Sequence, residues 1–365
     1  MKIIHIVQFL GIGGLEKVLL TLIQEQIKQG HQVELIVYDY ERSWVDYFRK
    51  KNIKVFTDYT KKNGIDFNLV KYLYKKTINA DIVHGHDLNP MIYLGLMKLI
   101  YFPFKKSNPK LIQTTHGMEH IQASTKNKLY EYLFSKMIDK LITVSPTFKK
   151  WYLAHGVSSK KVYHIDNGVE IETRSFKNKL NLRRELSLPP EHKILICVGR
   201  VVPMKGQDFL ITQHQNIKNA SLVIIGPYDN KEYYHKLKNL NLKHVYFLGK
   251  KSNIMDYLYE ADIFVSASKH EGHPISVLEA GTVPLPCLLS DIPGHTDLER
   301  DSKDKLFESF KIGDSKDYVA KLNALIKNDE KSKILAHKLF QKVQQHYSAT
   351  QMAEKIEKIY QDKYD

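Results

Sequence analysis

The sequence is poor in cysteine and contains no long uncharged apolar run. Only two cysteines occur in 365 residues, and both Cys197 and Cys287 lie in apolar strand-like runs that favour buried thiols over a disulfide framework. A reducing compartment is therefore expected. No stretch reaches the roughly 18 apolar residues that a membrane-spanning helix needs. The first strand-like segment begins at once, without the pattern of an export signal.

Arginine is also scarce, and the lysine-rich charge is unevenly distributed. Residues 1–180 carry 28 Lys and Arg against 16 Asp and Glu, whereas residues 181–365 carry 27 against 24. This asymmetry favours an anionic partner for the first half. A compositional origin stays open, because only seven of the 55 cations are arginines. Nucleic acid is a poor candidate partner, since aromatic residues do not interleave with a basic strand and no reading helix is recognisable.

The length of 365 residues predicts two domains, because single cores rarely grow beyond about 250–300 residues. Strand-like and helix-like segments alternate twice, which is typical of two doubly wound parallel sheets. The first half has predicted strands at Lys2–Gln8, Gln32–Tyr38, Ile53–Phe56, Ile82–His84, Lys110–Thr115 and Lys140–Val144. The second half has predicted strands at Lys193–Val198, Ser221–Ile225, Val245–Phe247, Ile263–Ser266 and Pro286–Leu289.

A polar stretch that begins near Asn167 separates the two alternations. We therefore expect a first domain over residues 1–170, a linker over 171–190 and a second domain over 191–347.

Two carboxylates eight positions apart lie late in the second alternation. Glu271 lies in a Gly/Pro turn and Glu279 on the helix that the turn opens, with Pro274 suited to the first helical position. The free N–H groups of Ile275 and Ser276 are then expected to form an anion site. The structural alternative is that both acids are solvated charges or partners of a helix dipole.

A cationic loop follows the predicted strand Lys193–Val198. This loop, Gly199–Gly206, carries Arg200 and Lys205, which can neutralise the same anion. The two motifs together indicate a pocket for a sugar joined to a pyrophosphate.

A glycine-rich loop follows the first predicted strand. Gly11, Gly13 and Gly14 leave room for a phosphate to approach the backbone and the next helix. Glu16 stands where a dinucleotide fingerprint has its third glycine, so dinucleotide oxidoreduction is not indicated. The structural alternative is a tight turn whose glycines need positive φ.

Two histidine motifs lie at predicted strand ends. His116 follows the strand Lys110–Thr115 at the edge where open α/β sheets bind ligands, although a lone histidine is more often structural. His84 and His86 face the same way on a strand. They are possible metal ligands, but a further Cys or carboxylate at ligand spacing is missing, so no metal site is predicted.

These motifs resemble those of the retaining glycosyltransferases of family four, and the resemblance extends from Lys2 to about Leu298. The Gly-Gly-x-Glu loop, the Thr-His-Gly motif at Thr115–Gly117, the two cations and the spacing of the two glutamates all match. The resemblance implies the α/β GT-B fold, in which two Rossmann-like domains face a cleft. It also implies that a last helix, within about 348–365, crosses back onto the first domain.

The resemblance further implies roles for the matching residues. The catalytic group would be His116, Arg200, Lys205 and Glu271. The donor would contact Gly13, Gly14, Arg200, Lys205, Glu271, His273, Ile275, Ser276 and Glu279. The acceptor side would hold Glu16, His116 and Met118. In this scheme Glu279 binds the ribose hydroxyls and Glu271 lies against the transferred sugar.

Three features bear on donor identity and on neutralisation of the pyrophosphate. His273 stands where the family more often has an aromatic residue or Leu, and Pro284 lies in a turn where the family usually has Gly-x-Pro. The Asp-x-Asp motif of the metal-dependent glycosyltransferase architecture is missing, so the side-chain cations are expected to replace the metal.

The segment Met91–Lys106 is apolar with a basic end, a pattern that fits either a membrane interface or a packed crossover helix. Its position between two predicted strands favours the packed helix. Residues 98–150 hold ten lysines and only three acidic residues, so we expect peripheral contact with an anionic membrane.

The expected function is metal-independent, retaining transfer of a hexose or N-acetylhexosamine from a nucleoside-diphosphate sugar, most simply a UDP-sugar. The acceptor is expected to be a hydroxyl of a glycan or a lipid-linked glycan in bacterial surface polysaccharide assembly. No cofactor and no nucleic-acid partner are expected, and the expected location is the cytoplasm, at the inner face of the cell membrane. The alternatives are a GT-B-fold sugar-nucleotide epimerase or hydrolase and, less favoured, a non-enzymatic nucleic-acid binder.

Overall fold

The computed structural model describes residues 1–100, 108–118, 121, 124–171 and 180–363. The chain divides into two compact units, the first formed by Met1–Gly168 with Ala349–Asp365 and the second by Val169–Ser348. Each unit is built around one parallel β-sheet. These two Rossmann-like domains are those of the predicted GT-B fold.

The first unit has a seven-stranded sheet in the order β3-β2-β1-β4-β5-β6-β7. Its strands are β1 (Lys2–Val7), β2 (Gln32–Val37), β3 (Lys54–Phe56), β4 (Ile82–His86), β5 (Lys110–Thr115), β6 (Lys140–Thr143) and β7 (Val162–His164). Its helices before the second unit are α1 (Gly14–Lys28), α2 (Val45–Lys50), α3 (Phe67–Thr77), α4 (Leu88–Ile100), α5 (Thr125–Ser135) and α6 (Pro146–Ala154).

The second unit has a six-stranded sheet in the order β10-β9-β8-β11-β12-β13. Its strands are β8 (Lys193–Val198), β9 (Ala220–Ile225), β10 (Val245–Gly249), β11 (Ile263–Ser266), β12 (Cys287–Ser290) and β13 (Glu308–Phe310). Its helices are α7 (Leu182–Glu185), α8 (Gln207–His214), α9 (Lys231–Lys238), α10 (Ile254–Glu260), α11 (Ile275–Thr282), α12 (Pro293–Thr296), α13 (Ser315–Lys327) and α14 (Asp329–His346). The chain then returns to the first unit as α15 (Ala349–Tyr360).

The two faces of the first sheet differ in chemistry because successive side chains of a strand point to opposite faces. Ile4 and Ile6 of β1 belong to the apolar core that also contains Val83 of β4 and Leu94 of α4. The alternate residue His5 is completely buried and lies against α1 and α15 through Gln26 and Tyr360, as described below. One face is therefore an ordinary apolar core, and the other carries a buried polar network.

The structure confirms the predicted alternation, with two strands added. β7 and β13 are three residues long and were not predicted. The predicted linker, 171–190, belongs to the second unit. Its described end forms α7, where Leu182 is completely buried, because that apolar side chain gains more from packing than from remaining in a solvated connection.

The segment that begins at Met91 forms part of α4, whose Met91, Leu94 and Met97 are completely buried. The packed-helix interpretation is therefore correct for the part that the structure describes. The basic residues Lys105 and Lys106 lie outside the described residues. Among those that are described, no helix is long and apolar enough to cross a membrane.

Candidate active site

The predicted site residues lie at the carboxyl ends of the strands in their respective sheets. In the first sheet the strand order reverses between β1 and β4, and in the second between β8 and β11. Loops at such reversals are where open α/β sheets bind ligands. Each unit thus places its candidate residues at the edge that its own topology favours.

In the second unit, a close backbone approach brings the cationic loop to β11. Gly206 has φ 65, and a Cβ atom there would lie 2.1 Å from the carbonyl oxygen of Ala267. Only glycine fits, because any side chain would collide with backbone that cannot move aside. The preceding residue, Lys205, is thereby held beside the turn that follows β11.

Lys205 and Glu271 form the central ion pair of this loop cluster. Lys205 Nζ lies 2.6 Å from Glu271 Oε1, and Ser268 Oγ donates to the same oxygen at 2.7 Å. Both side chains are mostly buried. Burial alone would raise the pKa of Glu271, but Lys205 and the Ser268 hydroxyl bring that pKa below its ordinary value. The carboxylate is therefore charged and fixed in place at neutral pH.

His295 is a further residue of this cluster that the sequence did not reveal. A Cβ atom on its neighbour Gly294 would lie 2.5 Å from the Glu271 carbonyl oxygen, so α12 begins directly against the Glu271 turn. His295 is completely buried, and its Nδ1 donates to the Ser290 carbonyl at 2.9 Å. Burial lowers the pKa of His295, although the nearby Glu271 charge opposes that shift. No sequence motif includes this histidine, so it was not predicted.

The helix that carries Glu279 begins one residue later than expected, with Pro274 as its N-cap. The Pro274 carbonyl accepts hydrogen bonds from the amides of Val277 and Leu278. The amides of Ile275 and Ser276 precede these and point out of the helix start, as the anion-site prediction requires.

Glu279 is partly buried and lies on α11, about one turn before the helix ends. Its backbone carbonyl accepts a hydrogen bond from the Thr282 hydroxyl. His273 is buried, with its ring centroid 5.3 Å from that of Tyr347. The aromatic neighbour gives a packing reason for a ring at position 273. A role in donor specificity stays a prediction.

Arg200 is the most accessible cation of the cluster. Its side chain is 57 % exposed and its guanidinium lies 4.0 Å from Asp229 Oδ2, so it is only weakly paired. Its carbonyl accepts from Gln207 Nε2 at 2.9 Å, which fixes the backbone of the loop. The second unit therefore offers one cation bound to a carboxylate and one exposed to solvent.

In the first unit, the glycine-rich loop folds around the Glu16 carboxylate. Glu16 Oε1 accepts from the Gly11 amide at 3.1 Å, and a Cβ atom on Gly13 would lie 2.8 Å from Oε2. Gly13 is extended, with φ −162, and none of the loop glycines has positive φ. The positive-φ interpretation of the loop is therefore wrong, and at Gly13 the missing side chain makes room for Glu16. Gly14 begins α1.

His116 ends a row of hydrogen-bonded imidazoles beneath the edge of the first sheet. His116 Nε2 lies 3.0 Å from His86 Nδ1, and His86 Nε2 lies 3.0 Å from His5 Nδ1. Burial lowers the pKa of both His5 and His116 to about 4, and the pKa of His86 well below its usual range. These rings are therefore neutral at pH 7.

The row continues away from His116 to the last helix. His5 Nε2 lies 2.8 Å from Gln26 Oε1, and Gln26 Nε2 donates to the Tyr360 hydroxyl at 3.1 Å. That hydroxyl lies 2.6 Å from His84 Nδ1. The sequence did not predict the contribution of His5, because only the parallel register, which places His5 beside His84, brings the residues together.

Met118 is buried in the apolar core of the first unit. Its side chain therefore stabilises the unit, and its place on the acceptor side stays a prediction. The backbone at His116 is held by its amide, which donates to Asp87 Oδ1 at 2.9 Å.

Among the described residues, three histidines lie close enough together to hold a metal ion: His5, His84 and His86. One ring nitrogen of each lies within 4.8 Å of the others. The structure thus supplies the third ligand that the sequence lacked. The expectation that the protein binds no metal stays a prediction.

Comparison with known proteins assigns the family. Residues 12–173 match the model of Glycosyltransferase Family 4, and residues 178–342 match that of Glycosyl transferases group 1. The chain belongs to this family of glycosyltransferases, and its two units have the GT-B fold.

Two bacterial relatives are glycosyltransferases by name. The chain is 27 % identical over 311 residues to a UDP-Gal:alpha-D-GlcNAc-diphosphoundecaprenol alpha-1,3-galactosyltransferase of Escherichia coli, covering 80 % of this chain and 78 % of that protein. It is 23 % identical over 370 residues to the O-antigen biosynthesis glycosyltransferase WclY of Escherichia coli, covering 99 % and 98 % of the two chains.

A solved structure supports the fold. The Anabaena protein Alr3699/HepE, in complex with UDP and glucose, matches with a TM-score of 0.87 and 17 % identity, over 99 % of this chain and all of that one. At this identity the likeness establishes architecture.

Proposed function

We propose that the protein transfers a hexose or N-acetylhexosamine from a nucleoside-diphosphate sugar, with UDP as the preferred nucleotide, to a hydroxyl of a glycan or lipid-linked glycan. The observation that carries this proposal is the Lys205–Glu271 pair at the second sheet's edge, beside the start of α11. It joins a fixed cation, a fixed carboxylate and free helix amides in one unit. The first two relatives described above act in lipid-linked glycan or O-antigen synthesis by name, which supports this acceptor class.

The cations suit a leaving pyrophosphate. Arg200 and Lys205 lie on the loop that follows β8, and the amides of Ile275 and Ser276 lie at the start of α11. Preorganised charge of this kind stabilises the charge that develops on a leaving group without reorganisation. We propose that these groups replace a divalent metal.

Transfer with retention follows from the arrangement that we propose around the sugar. Glu271 is held by Lys205 and Ser268, so it is suited to binding sugar hydroxyls rather than to acting as a mobile nucleophile. We propose that the acceptor hydroxyl attacks the anomeric carbon on the face that the pyrophosphate leaves. A C–O bond to the acceptor forms, the bond to the pyrophosphate breaks, and the departing phosphate oxygen takes the acceptor proton.

A surface of α5 supports the proposed contact with an anionic membrane. Leu129 is 52 % exposed and Leu133 is 42 % exposed, while Lys126 and Lys128 are exposed on the same helix. Apolar side chains beside lysines are typical of interfacial helices. Lys110 is less suitable as a membrane contact, because its ammonium donates to Asp362 at 2.6 Å and to the Tyr360 carbonyl at 2.7 Å. We propose peripheral contact through this surface, with the cytoplasmic face of the membrane as the location.

The proposal is tested first by ligand binding. A panel of nucleotides and nucleotide sugars is screened by thermal shift, since a ligand at 100 times its Kd stabilises the folded protein by about 2.7 kcal/mol. We expect UDP-sugars to give the largest shift. A panel in which no nucleotide raises the melting temperature would contradict the proposal.

The division of roles between the two glutamates is then tested with UDP and the best UDP-sugar. Glu279→Ala should weaken the binding of free UDP, because its carboxylate is assigned to the ribose. Glu271→Ala should leave UDP affinity nearly unchanged and impair transfer. Equal losses of UDP affinity in both variants would show that the roles are not divided. Donor turnover that ignores every added acceptor would favour the epimerase or hydrolase instead.

A further inference from the structure

We infer that Gln26, His5 and His86 are positioning residues that fix the proton of His116 on Nε2, so that Nδ1 of His116 is a hydrogen-bond acceptor. The inference concerns the free protein. It depends on the proposed function only in assigning a substrate hydroxyl to that acceptor.

The rings of His5, His86 and His116 are neutral at pH 7 because burial disfavours their charged form. His5 is completely buried and His86 nearly so, and no acidic side chain of the described residues forms an ion pair with either ring. A neutral imidazole has one N–H donor and one bare nitrogen. In a row of such rings, the direction of one hydrogen bond therefore determines the direction of all the others.

The amide of Gln26 determines that direction. Its Oε1 faces His5 Nε2 at 2.8 Å, and an amide oxygen can only accept. His5 must therefore carry its proton on Nε2 and accept on Nδ1. The nitrogen that faces His5 Nδ1 is His86 Nε2, so this nitrogen donates. His86 Nδ1 then accepts from His116 Nε2, and His116 keeps a bare Nδ1.

The other side of the amide is consistent with the same direction. Gln26 Nε2 donates to the Tyr360 hydroxyl, which is then free to donate to His84 Nδ1 at 2.6 Å. His84 Nε2 carries the remaining proton and lies 2.7 Å from Thr114 Oγ1. No donor faces a donor anywhere in the network. Rotation of the Gln26 amide by a half turn would reverse every bond and put a proton on His116 Nδ1.

The bare nitrogen of His116 is the open end of the row. Nδ1 is buried and has no hydrogen-bond partner among the described residues. An unsatisfied buried polar atom is unfavourable, and a donor hydroxyl supplied by a ligand would satisfy it. His116 lies at the carboxyl edge of the sheet, where ligands bind. A sugar or acceptor hydroxyl would thus be recognised as a donor.

A metal at His5, His84 and His86 is the competing account of the same rings. It would need a nitrogen from each ring, and both nitrogens of every ring are already within 3.0 Å of a hydrogen-bond partner. Binding a metal would break several of these bonds, so the hydrogen-bonded row explains the geometry better.

The test is ¹⁵N NMR of the full-length, ligand-free protein labelled at histidine, at pH 7. His116 is assigned by its loss in His116→Gln, and two-bond ¹⁵N–¹H correlations distinguish protonated from bare ring nitrogens. We expect a protonated Nε2 and a bare Nδ1. In Gln26→Met, which keeps the side-chain length and removes the amide, we expect both tautomers of His116.

Gln213→Met is the matched control, because Gln213 is a buried glutamine of the second unit, and it should leave the His116 signals unchanged. If Gln26→Met does not fold, Tyr360→Phe replaces it, since loss of the hydroxyl frees the amide to rotate and should also give both tautomers. A wild-type His116 protonated on Nδ1, or a single unchanged tautomer in the folded variant, would overturn the inference. So would metal analysis that finds one tightly bound ion per chain, lost in His84→Phe.

Because no ligand is added, this result is independent of whether the proposed donor is correct. A failed nucleotide screen with the expected tautomer leaves the positioning role standing and rejects the proposed function. A successful nucleotide screen without the expected tautomer rejects the positioning role alone.

Discussion

The carboxyl edges of the two sheets have the same topology but differ in charge: the buried histidines are neutral at the first edge, whereas the buried Glu271 is ionised at the second. At the first edge, burial leaves His116 and its neighbours uncharged. At the second edge, burial leaves Glu271 charged, because Lys205 Nζ is 2.6 Å away. Burial alone therefore does not set the charge state of a site. An opposite charge within hydrogen-bonding distance offsets the desolvation of a buried ion, whereas the described residues give the imidazole row no such partner and the rings stay neutral instead.

The largest effect is expected on turnover, from loss of a cation at the second edge. Replacing Arg200 or Lys205 by Ala should reduce turnover by about 10²–10³, the scale for loss of one preorganised electrostatic donor. Steady-state kinetics at saturating UDP-sugar measure it. Lys236→Ala is the control, because Lys236 is an exposed lysine of the same unit, and it should keep wild-type turnover. Near-normal rates in both test variants would remove these cations from the mechanism.

A smaller effect is expected from the uncharged edge as pH falls. The folded protein holds the His5 pKa at about 4, whereas the unfolded chain has a pKa near 6.5. Between these values the unfolded state binds more protons, so the free energy of unfolding falls as pH falls. His5 alone should account for about 2 kcal/mol between pH 7 and pH 5.

Urea unfolding followed by tryptophan fluorescence measures this change, since both tryptophans, Trp44 and Trp151, lie in the first unit. His5→Gln should flatten the pH dependence, because it removes the titrating ring. His235→Gln replaces an exposed histidine of the second unit and should leave it unchanged. A fluorescence transition that is equally stable at pH 7 and pH 5 would show that the imidazoles are not held neutral by the fold.

The surface charges of the two units should differ in effect on membrane binding. Each lysine near an anionic bilayer contributes about 1 kcal/mol. The double variant Lys126→Glu and Lys128→Glu should therefore reduce co-sedimentation with anionic vesicles at low salt. Lys236→Glu with Lys238→Glu makes the same charge change on α9 of the second unit and should have little effect. Equal losses in the two pairs would mean that net charge, rather than the surface of α5, drives binding.

The smallest effect is expected from chelation. Turnover should be unchanged in excess EDTA, because the second edge has its own cations and a helix start for the pyrophosphate. Activity that is lost in EDTA and restored by Mg²⁺ or Mn²⁺ would reject the metal-independent mechanism. Restoration by Zn²⁺ alone, abolished in His84→Phe, would instead point to the histidines of the first unit.

The difference between the units also explains what the sequence could predict. Strand ends can be read from local patterns, so the loops that carry Lys205 and Glu271 were predicted to share one pocket although 66 positions separate them. The structure confirms that they meet. The role of His5 needed the register of β1 against β4, which depends on long-range pairing that no local pattern records. His295 was missed for a related reason. Its neighbour Gly294 packs against the Glu271 backbone, and no local sequence pattern records this contact.

The return of the chain to the first unit as α15 has a consequence for synthesis. Gln26 and Tyr360 are 334 positions apart, so the polar face of the first sheet has α1 but lacks α15 until the last helix leaves the ribosome. The second unit is one continuous segment, Val169–Ser348, and is complete before then. At about 5–20 residues per second, the unit that starts first waits roughly 10–40 s for its closing helix, and during that interval Gln26 and His84 lack the Tyr360 hydroxyl.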